Sequence, residues 1–484
     1  MTKDRQQVIA PAAPTEEAAI PWGAMSLVMV GMFMAILDSF IVVVAAPSIA
    51  ADLNASVGDL QWVLAAYQLS YAILMITGGR VADLFGRKRI YVLGMGIFTL
   101  SSIACAMAPS PGTLIAARVV QGVGAALMVP QVFAVVTVLV PEKGRHRVFG
   151  VLGVVIGMAT ISGQLVGGLL IGAGIFGSDW RAVFWVNVPI GVVTLLLALA
   201  YVPESRSPSA RKLDIPGMLA LSVALLLAVF PLIQGREEGW PWWIWACFAA
   251  SLIAFGVFVA VERAVAGRGG DPLITLSLFA QRSFSLGIVL VLAVYALLSS
   301  YYLSLSVAMQ QGLGMSALGA GLVYTPAATV FFIFSMVAGR LVPKYGRRVL
   351  EVGAIILALG YLATTVVLLL GPKLTPALVI PTLMLQSVGG GLLITPLLNT
   401  VLSRIKPESV GMASGSLSTA QQVGGALGVA VIGAVFFNSF HPQADGPVEA
   451  AGHAFAMASL GTFVIAAVTA VLIFLLPKRA GGGR

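Results

Sequence analysis

Charge is what this chain has least of. Only 10% of its 484 residues are charged and 59% are hydrophobic, whereas a soluble protein carries about 25% charged residues. That excludes a water-soluble fold with a single anchor. Cysteine is almost absent: Cys105 and Cys247 both fall in apolar runs and read as small core residues, with neither a disulfide nor a metal site implied. The three histidines, His146, His441 and His453, stand in loops or at the ends of apolar runs and have no zinc-ligand spacing. No G-x-x-x-x-G-K-[ST] occurs, so the chain carries no phosphate-binding loop. No His/Cys cluster, nucleophile–base pair or metal set lies within the apolar runs, which argues against a membrane enzyme. No cofactor is called for.

What is there is hydrophobic sequence long enough to span a bilayer, repeated along nearly the whole chain. Fourteen spans are predicted, the first over 22–46 and the last over 455–477; 214–234 and 240–261 are the least marked. Lys and Arg alternate strictly between the connecting segments. Apart from Arg118, which lies inside a span, only Arg181, Arg236 and Lys373 fall on the poor side. The rich side is cytoplasmic by the positive-inside rule, which places both termini in the cytoplasm of a multi-pass cell-membrane protein. The net charge of +9 therefore reports membrane topology rather than a nucleic-acid partner, and the lipid bilayer is the partner expected. Residues 1–21 are polar and rich in Pro and Ala, so they read as a disordered tail with no cleavable signal peptide. A second short tail is expected over 478–484.

The chain repeats itself. Gly79-Arg-Val-Ala-Asp-Leu-Phe-Gly-Arg-Lys88 ends the second span, and Gly339-Arg-Leu-Val-Pro-Lys-Tyr-Gly-Arg-Arg348 ends the tenth. Gln121-Gly-Val-Gly in the fourth span is echoed by Gln386-Ser-Val-Gly in the twelfth. The division that follows is a six-helix half over 22–203, two inserted helices and linkers over 204–281, and a second six-helix half over 282–477. Repeated halves around a midplane site are a transporter design.

Asp38 is the one acidic residue deep within an apolar run by sequence, in MSLVMVGMFMAILDSFIVVVAA (Met25–Ala46). A carboxylate at the centre of a membrane helix costs roughly 2.5–3.5 kcal/mol on insertion scales, so its default reading is an ion or substrate site. The alternative is a hydrogen-bond acceptor between helices. Burial disfavours the ionised form and a neighbouring cation favours it, the balance a proton carrier needs. Arg118 is the candidate counter-charge: measured from the ends of their spans, Asp38 lies about 12 Å and Arg118 about 9 Å deep along a helix. A static pair holding the first and fourth spans together is the competing reading.

These segments together resemble the major facilitator superfamily, specifically its fourteen-span drug:proton antiporter branch. The resemblance covers nearly the whole chain. It rests on Gly79–Arg89, on LIAARVVQGVGAA (Leu114–Ala126), on LDSFIVVVAAPSI (Leu37–Ile49), on WRAVFWVNVPIG (Trp180–Gly191) and on GMASGSLSTAQQVGGALGVAVIG (Gly411–Gly433). It implies a major facilitator fold that exports hydrophobic or cationic small molecules in exchange for protons. Asp38 and Arg118 would couple the proton, and Gly79, Asp83, Gly86 and Arg87 would form a gate at the cytoplasmic mouth. One departure stands in the fifth span, where Gly163-Gln-Leu-Val-Gly-Gly168 has Gln164 in place of the family's proline. Another is Pro343, which occupies the second-half position of Asp83 and leaves only the N-terminal loop with an acidic gate contact. Polar and aromatic residues within spans are candidate cavity lining: Trp62, Tyr67, Gln121, Gln131, Gln164, Tyr301, Tyr324 and Gln386. Gly122, Gly163, Gly167 and Gly168 are read as helix-packing positions. The competing function is dedicated export of one endogenous metabolite, such as an antibiotic or siderophore.

Overall fold

In the bilayer every backbone polar group must find its partner within the protein, which leaves an apolar chain of this kind only helices or a closed barrel. The computed structural model describes residues 20–174, 179–206, 213–371, 373–402, 405 and 410–476. Most of the two expected tails lies outside the described residues. Fourteen helices are long and apolar enough to cross a membrane. They are α1 (Trp22–Leu53), α2 (Val57–Phe85), α3 (Arg87–Ala106), α4 (Pro111–Leu139), α5 (Glu142–Gly172), α6 (Asp179–Tyr201), α7 (Ile215–Glu237), α8 (Trp242–Gly267), α9 (Arg282–Val307, extended by a π turn over Ala308–Gly312), α10 (Ala317–Tyr345), α11 (Arg347–Leu370), α12 (Pro376–Leu402), α13 (Val410–Ser439) and α14 (Pro447–Ile473). No strand occurs among the described residues. Several helices outrun the apolar runs from which they were read. α1 continues past Ala46 through Pro47 to Leu53, because its polar last turn projects beyond the apolar stretch.

Local chemistry sets the helix ends. Ser56 and Asp59 form a reciprocal capping box at the start of α2, and Ser110 and Thr113 form another at α4. The repeated motif supplies the tight corner between α2 and α3 and its counterpart between α10 and α11. Gly86 and Gly346 take φ of 113° and 57°, conformations that side chains rarely adopt, so one helix can end and the next begin within a residue.

Helix pairing follows the repeat. In the first half α2 and α3 both lie on α4, α1 on α5, and α3 on α6; in the second, α10 and α11 both lie on α12, α9 on α13, and α11 on α14. The halves meet in a swapped pair of contacts, α2 on α13 and α5 on α10. Gln61 Nε2 donates to the Val429 carbonyl (3.0 Å) and Thr419 Oγ1 to the Ala72 carbonyl (3.2 Å) along the first seam. Between α1 and α9, Ser306 donates to the Val43 carbonyl (3.1 Å) and Gln310 to that of Val44 (2.9 Å). These bonds from α9, with the approach of α5 to α10, close the molecule toward its Lys/Arg-poor face.

The inserted pair has a definite place. α7 packs on α8 and also on both α2 and α13. Leu221, Leu225, Val229 and Ile233 meet Ala65, Leu69, Ala72 and Ile76 of α2 and Val423, Ala426 and Ala430 of α13 in one apolar cluster. The insert thus covers one seam between the halves, and any rocking must slide α2 past α13 beneath α7.

The other seam depends on missing side chains. A Cβ on Gly168 would lie 2.7 Å from the Ala317 carbonyl oxygen and 2.9 Å from Leu318 Cα, both in the opposite half. Overpacking of this kind costs roughly 1–3 kcal/mol, enough to shift a two-state balance by about fivefold to a hundredfold. Gly168→Leu is expected to leave both halves folded but to hold α5 and α10 apart. Electron–electron resonance between spin labels on those two helices should show a longer distance population, together with lost transport. Unchanged distances would remove this seam from the closing motion.

Candidate functional site

Asp38 is fully buried, and so is its counter-charge Arg118, at 0% and 1% exposure. Arg118 Nη1 is hydrogen-bonded to Asp38 Oδ2. The other carboxylate oxygen, Oδ1, accepts from Gln121 Nε2 at 2.9 Å and from Asn187 Nδ2 at 3.0 Å. The charge on Asp38 is therefore met by one guanidinium and two amides, brought by α4 and α6. Arg118 is itself anchored beyond its partner: Nε donates to the Val63 carbonyl of α2 (3.1 Å), Nη1 to Gln121 Oε1 (2.6 Å), and the guanidinium lies 4.2 Å from the Tyr67 ring centroid. Gln121 Nε2 also donates to Ser102 Oγ of α3 (2.9 Å). One ionisable pair thus ties together α1, α2, α3, α4 and α6. A buried pair of this kind adds little net stability relative to an apolar pair but is costly to break from one side, which is what a switch requires.

Asn187 and Ser102 were absent from the sequence reading of this site. Asn187 stands in the WVNVPIG segment as an amide in an apolar run; Ser102 left no signal that separates it from the other hydroxyls that bond to their own helix.

The second half carries a neutral counterpart. Tyr301 of α9, Thr364 of α11 and Gln386 of α12 form a cluster in which Gln386 Nε2 donates to Thr364 Oγ1 (3.0 Å), Thr364 and Tyr301 hydroxyls lie 3.3 Å apart, and Thr364 donates to Thr382 (2.9 Å). These helices are the repeat equivalents of α1, α3 and α4, and Gln386 is the repeat equivalent of Gln121. An ionisable pair occupies the cluster of the first half, whereas hydroxyls and an amide occupy the same place in the second.

Between the halves lies a small cavity of about 40 Å³, lined by Gln164 of α5 and by Leu298, Tyr302, Tyr324, Ala327, Ala328 and Phe331 of α9 and α10. It is aromatic and apolar, and among the described residues no charged group stands in its wall. It adjoins the Asp38 helix: Gln164 Nε2 donates to the Phe40 carbonyl (3.3 Å), and Phe40 meets Tyr302 edge-on at 6.1 Å. A drug-sized ligand needs roughly 300 Å³ or more, so entry requires the halves to part here.

Of the eight residues proposed as lining, Gln164 and Tyr324 are at this wall. The other six lie elsewhere in this structure. Tyr67 and Gln121 belong to the Asp38 cluster, and Tyr301 and Gln386 to its neutral counterpart. Gln131 donates to the Gly78 carbonyl between α4 and α2 (3.2 Å). Trp62 packs on Phe230 of the inserted α7 (6.0 Å). An aromatic or amide in an apolar span satisfies its own polar atom against a neighbouring helix as readily as it faces a cavity, and sequence does not distinguish the two. The packing glycines are at close approaches: a Cβ on Gly122 would meet Tyr67 O at 2.5 Å, one on Gly163 would meet Phe40 Cβ at 2.7 Å, and one on Gly167 would meet Ile41 Cγ1 at 2.9 Å.

At the Lys/Arg-rich face, Asp83 Oδ1 accepts from Arg87 Nε (3.1 Å) and Nη2 (2.8 Å) across the Gly86 turn. A Cβ on Gly86 would also strike the Glu204 carboxylate at 2.6 Å, whereas one on Gly79 would make only ordinary contact with Pro130, at 3.7 Å. Two sequence expectations change here. Arg347, the repeat equivalent of Arg87, does find an acid despite Pro343, because Glu351 one turn along α11 reaches its Nε at 2.6 Å. Asp38 is also not the only buried carboxylate: Glu262 and Asp214 are 0% and 6% exposed. They lie near the ends of apolar runs. Among the described residues no group of three or more His, Cys, Asp or Glu is placed to hold a metal ion.

Two six-helix halves related by a repeat, a cavity at their junction and a buried ion pair beside it define a membrane transporter. The chain matches the model of the Major Facilitator Superfamily over residues 28–429 and 288–482 and belongs to that family. It is 36% identical over 88% of its length, and 74% of the other's, to a probable actinorhodin transporter of Streptomyces coelicolor. It is 35% identical to a cephamycin export protein of Amycolatopsis lactamdurans, covering 96% of this chain and 94% of that one. It is also 34% identical to multidrug resistance protein Stp of Mycobacterium tuberculosis, over 84% and 74% of the two chains. These relatives put it in the drug-efflux branch, as a transporter and not an enzyme. Among solved structures, the fold is shared with the nucleoside transporter NupG (TM-score 0.64, 11% identity, 95% of this chain and 100% of that one) and the xylose transporter XylE from E. coli (TM-score 0.63, 13% identity, 96% and 100%).

Proposed function

We propose that this protein is a proton-coupled antiporter that exports hydrophobic or monocationic small molecules by alternating access, with its Lys/Arg-rich face and both termini in the cytoplasm. The observation that carries this reading is the Asp38–Arg118 pair, fully buried and shared among five helices of one half. A proton on Asp38 removes the charge that holds Arg118 and both amides. Arg118 keeps its bond to the Val63 carbonyl of α2, so the change at Asp38 is passed to the helix that forms the seam with α13. The proton is the only coupling ion in this scheme, and no cofactor takes part.

The cavity wall argues for substrate class. Tyr302, Tyr324 and Phe331 give the wall an aromatic character suited to flat or delocalised ligands, and Gln164 adds a polar group. With no acid in the wall, Asp38 is the one carboxylate beside the cavity that a cationic ligand could draw away from Arg118, so a second cationic centre on a ligand would be buried without a partner, which is expensive. In proteoliposomes with an imposed pH gradient, monocationic and neutral aromatic dyes are expected to be exported faster than rigid bis-cationic dyes of matched hydrophobicity. Equal Asp38-dependent export of bis-cations would overturn this part of the reading.

Dedicated export of one metabolite is the second reading, favoured by relatives named for actinorhodin and cephamycin. It predicts that one compound class alone dissipates the gradient, where a broad exporter responds to many.

A further inference from the structure

The inserted helices bring two buried acids to the Lys/Arg-rich end of α2. Asp214 caps the start of α7, its Oδ1 accepting from the Gly217 amide (2.9 Å) and its Oδ2 from the Leu273 amide (3.0 Å). Glu262, on α8, accepts from the Ile274 amide through Oε2 (2.8 Å). Its other oxygen, Oε1, is buried and no donor among the described residues reaches it. The two carboxylates converge: a Cβ on Gly217 would lie 2.3 Å from Glu262 Oε1 and 2.6 Å from Asp214 Oδ2. The linker between α8 and α9 is held from both sides. Its amides at Leu273 and Ile274 go to the two acids, while its carbonyls at Asp271 (2.8 Å), Pro272 and Leu273 (3.4 Å) accept from Arg80 of α2. Among the described residues the charged side chains facing Glu262 are Asp214 from α7 and Arg80 from α2, and Arg80 donates to these carbonyls.

Two ionised carboxylates this close in a buried site repel, and one oxygen is left without a donor; a single proton removes both penalties. We propose that Glu262 and Asp214 form a second proton-binding site, one proton sitting on Glu262 Oε1 and donated to Asp214 Oδ2. That proton keeps the linker of the insert seated on Arg80. Its loss at alkaline pH on this face leaves two like charges, withdraws one carboxylate from its amide, and loosens the linker from α2. The site lies about 25 Å along α2 from Val63, where Arg118 binds, at 1.5 Å per residue. It therefore reports the pH of one face independently of whatever Asp38 does during transport, and it gives the inserted helices a regulatory role.

Infrared spectroscopy of the full-length Asp38→Asn protein in nanodiscs tests this without relying on transport. A protonated-carboxyl band is expected at neutral pH, lost on alkalinisation, absent in the Asp38→Asn/Glu262→Gln protein, and shifted by Asp214→Asn. Hydrogen exchange of the Leu273 and Ile274 amides, corrected for intrinsic base catalysis, should accelerate over the same pH interval. Glu262→Gln should abolish that acceleration, because its amide can donate to Asp214 while its carbonyl accepts from Ile274. The absence of any such band in Asp38→Asn protein, a band that survives Glu262→Gln unshifted, or linker exchange that ignores pH would each overturn the proposal. Should Glu262→Gln not fold, the Asp214→Asn band shift and the linker exchange of the otherwise unmodified protein decide it.

Discussion

Asp38→Asn should abolish uphill export driven by an imposed proton gradient while leaving the protein in the membrane. Asn keeps the size of Asp and can hydrogen-bond with Gln121 and Asn187, so the helices around it retain their arrangement; what it loses is the charge and the exchangeable proton. Arg118 still has the Val63 carbonyl, Gln121 Oε1 and the Tyr67 ring. Downhill movement of substrate should persist, because alternating access does not itself need the proton, but accumulation against a gradient should fall to background. The same experiment in wild-type protein should be insensitive to ATP depletion when the gradient is supplied artificially. Full uphill export by the mutant would rule out Asp38 as the coupling residue.

The second large effect is on stability. Arg118→Met leaves a buried carboxylate facing only two amides, and removing one partner of a buried pair costs roughly 3–5 kcal/mol. The thermal unfolding midpoint in detergent should drop steeply. Adding Asp38→Asn to Arg118→Met should recover most of that loss, since the resulting pair contains no unpaired charge and approximates the neutral cluster that the second half already uses at Tyr301, Thr364 and Gln386. The signature is non-additivity in the double-mutant cycle. Losses that simply add would mean that the two charges act independently, and the switch assigned to them would fail.

Much of this was legible in the chain, for reasons that differ by feature. Asp38 and Arg118 stood out because a charge in a long apolar run is expensive, and two such charges at matching depths have few other ways to be satisfied. Gly86 and Gly346 stood out because the repeat placed a glycine where one helix must stop and another start. The cavity was poorly legible. Tyr301 and Tyr324 look alike in sequence, yet the hydroxyl of the first lies beside Thr364 inside its own half, whereas the second donates to the Tyr302 carbonyl and its ring lines the junction. Glu262 stands near the end of an apolar run, where sequence carries no sign of depth, and the folding back of residues 271–274 brings the Ile274 amide to it.

The sequence by itself determined the membrane fold, the fourteen helices, their two-fold repeat and the buried ion pair, because hydrophobic length, Lys/Arg alternation and the cost of a buried charge act locally along the chain. Only the tertiary structure decided which polar side chains face the junction between the halves, that α7 covers the seam of α2 with α13, and that Asp214, Glu262 and Arg80 meet on one linker. Those outcomes depend on which helix lies against which. An apolar helix surface offers many neighbours of similar energy, and the choice among them is made by shape at close approaches such as Gly168 on Ala317 and by polar atoms that must find a partner once water is excluded.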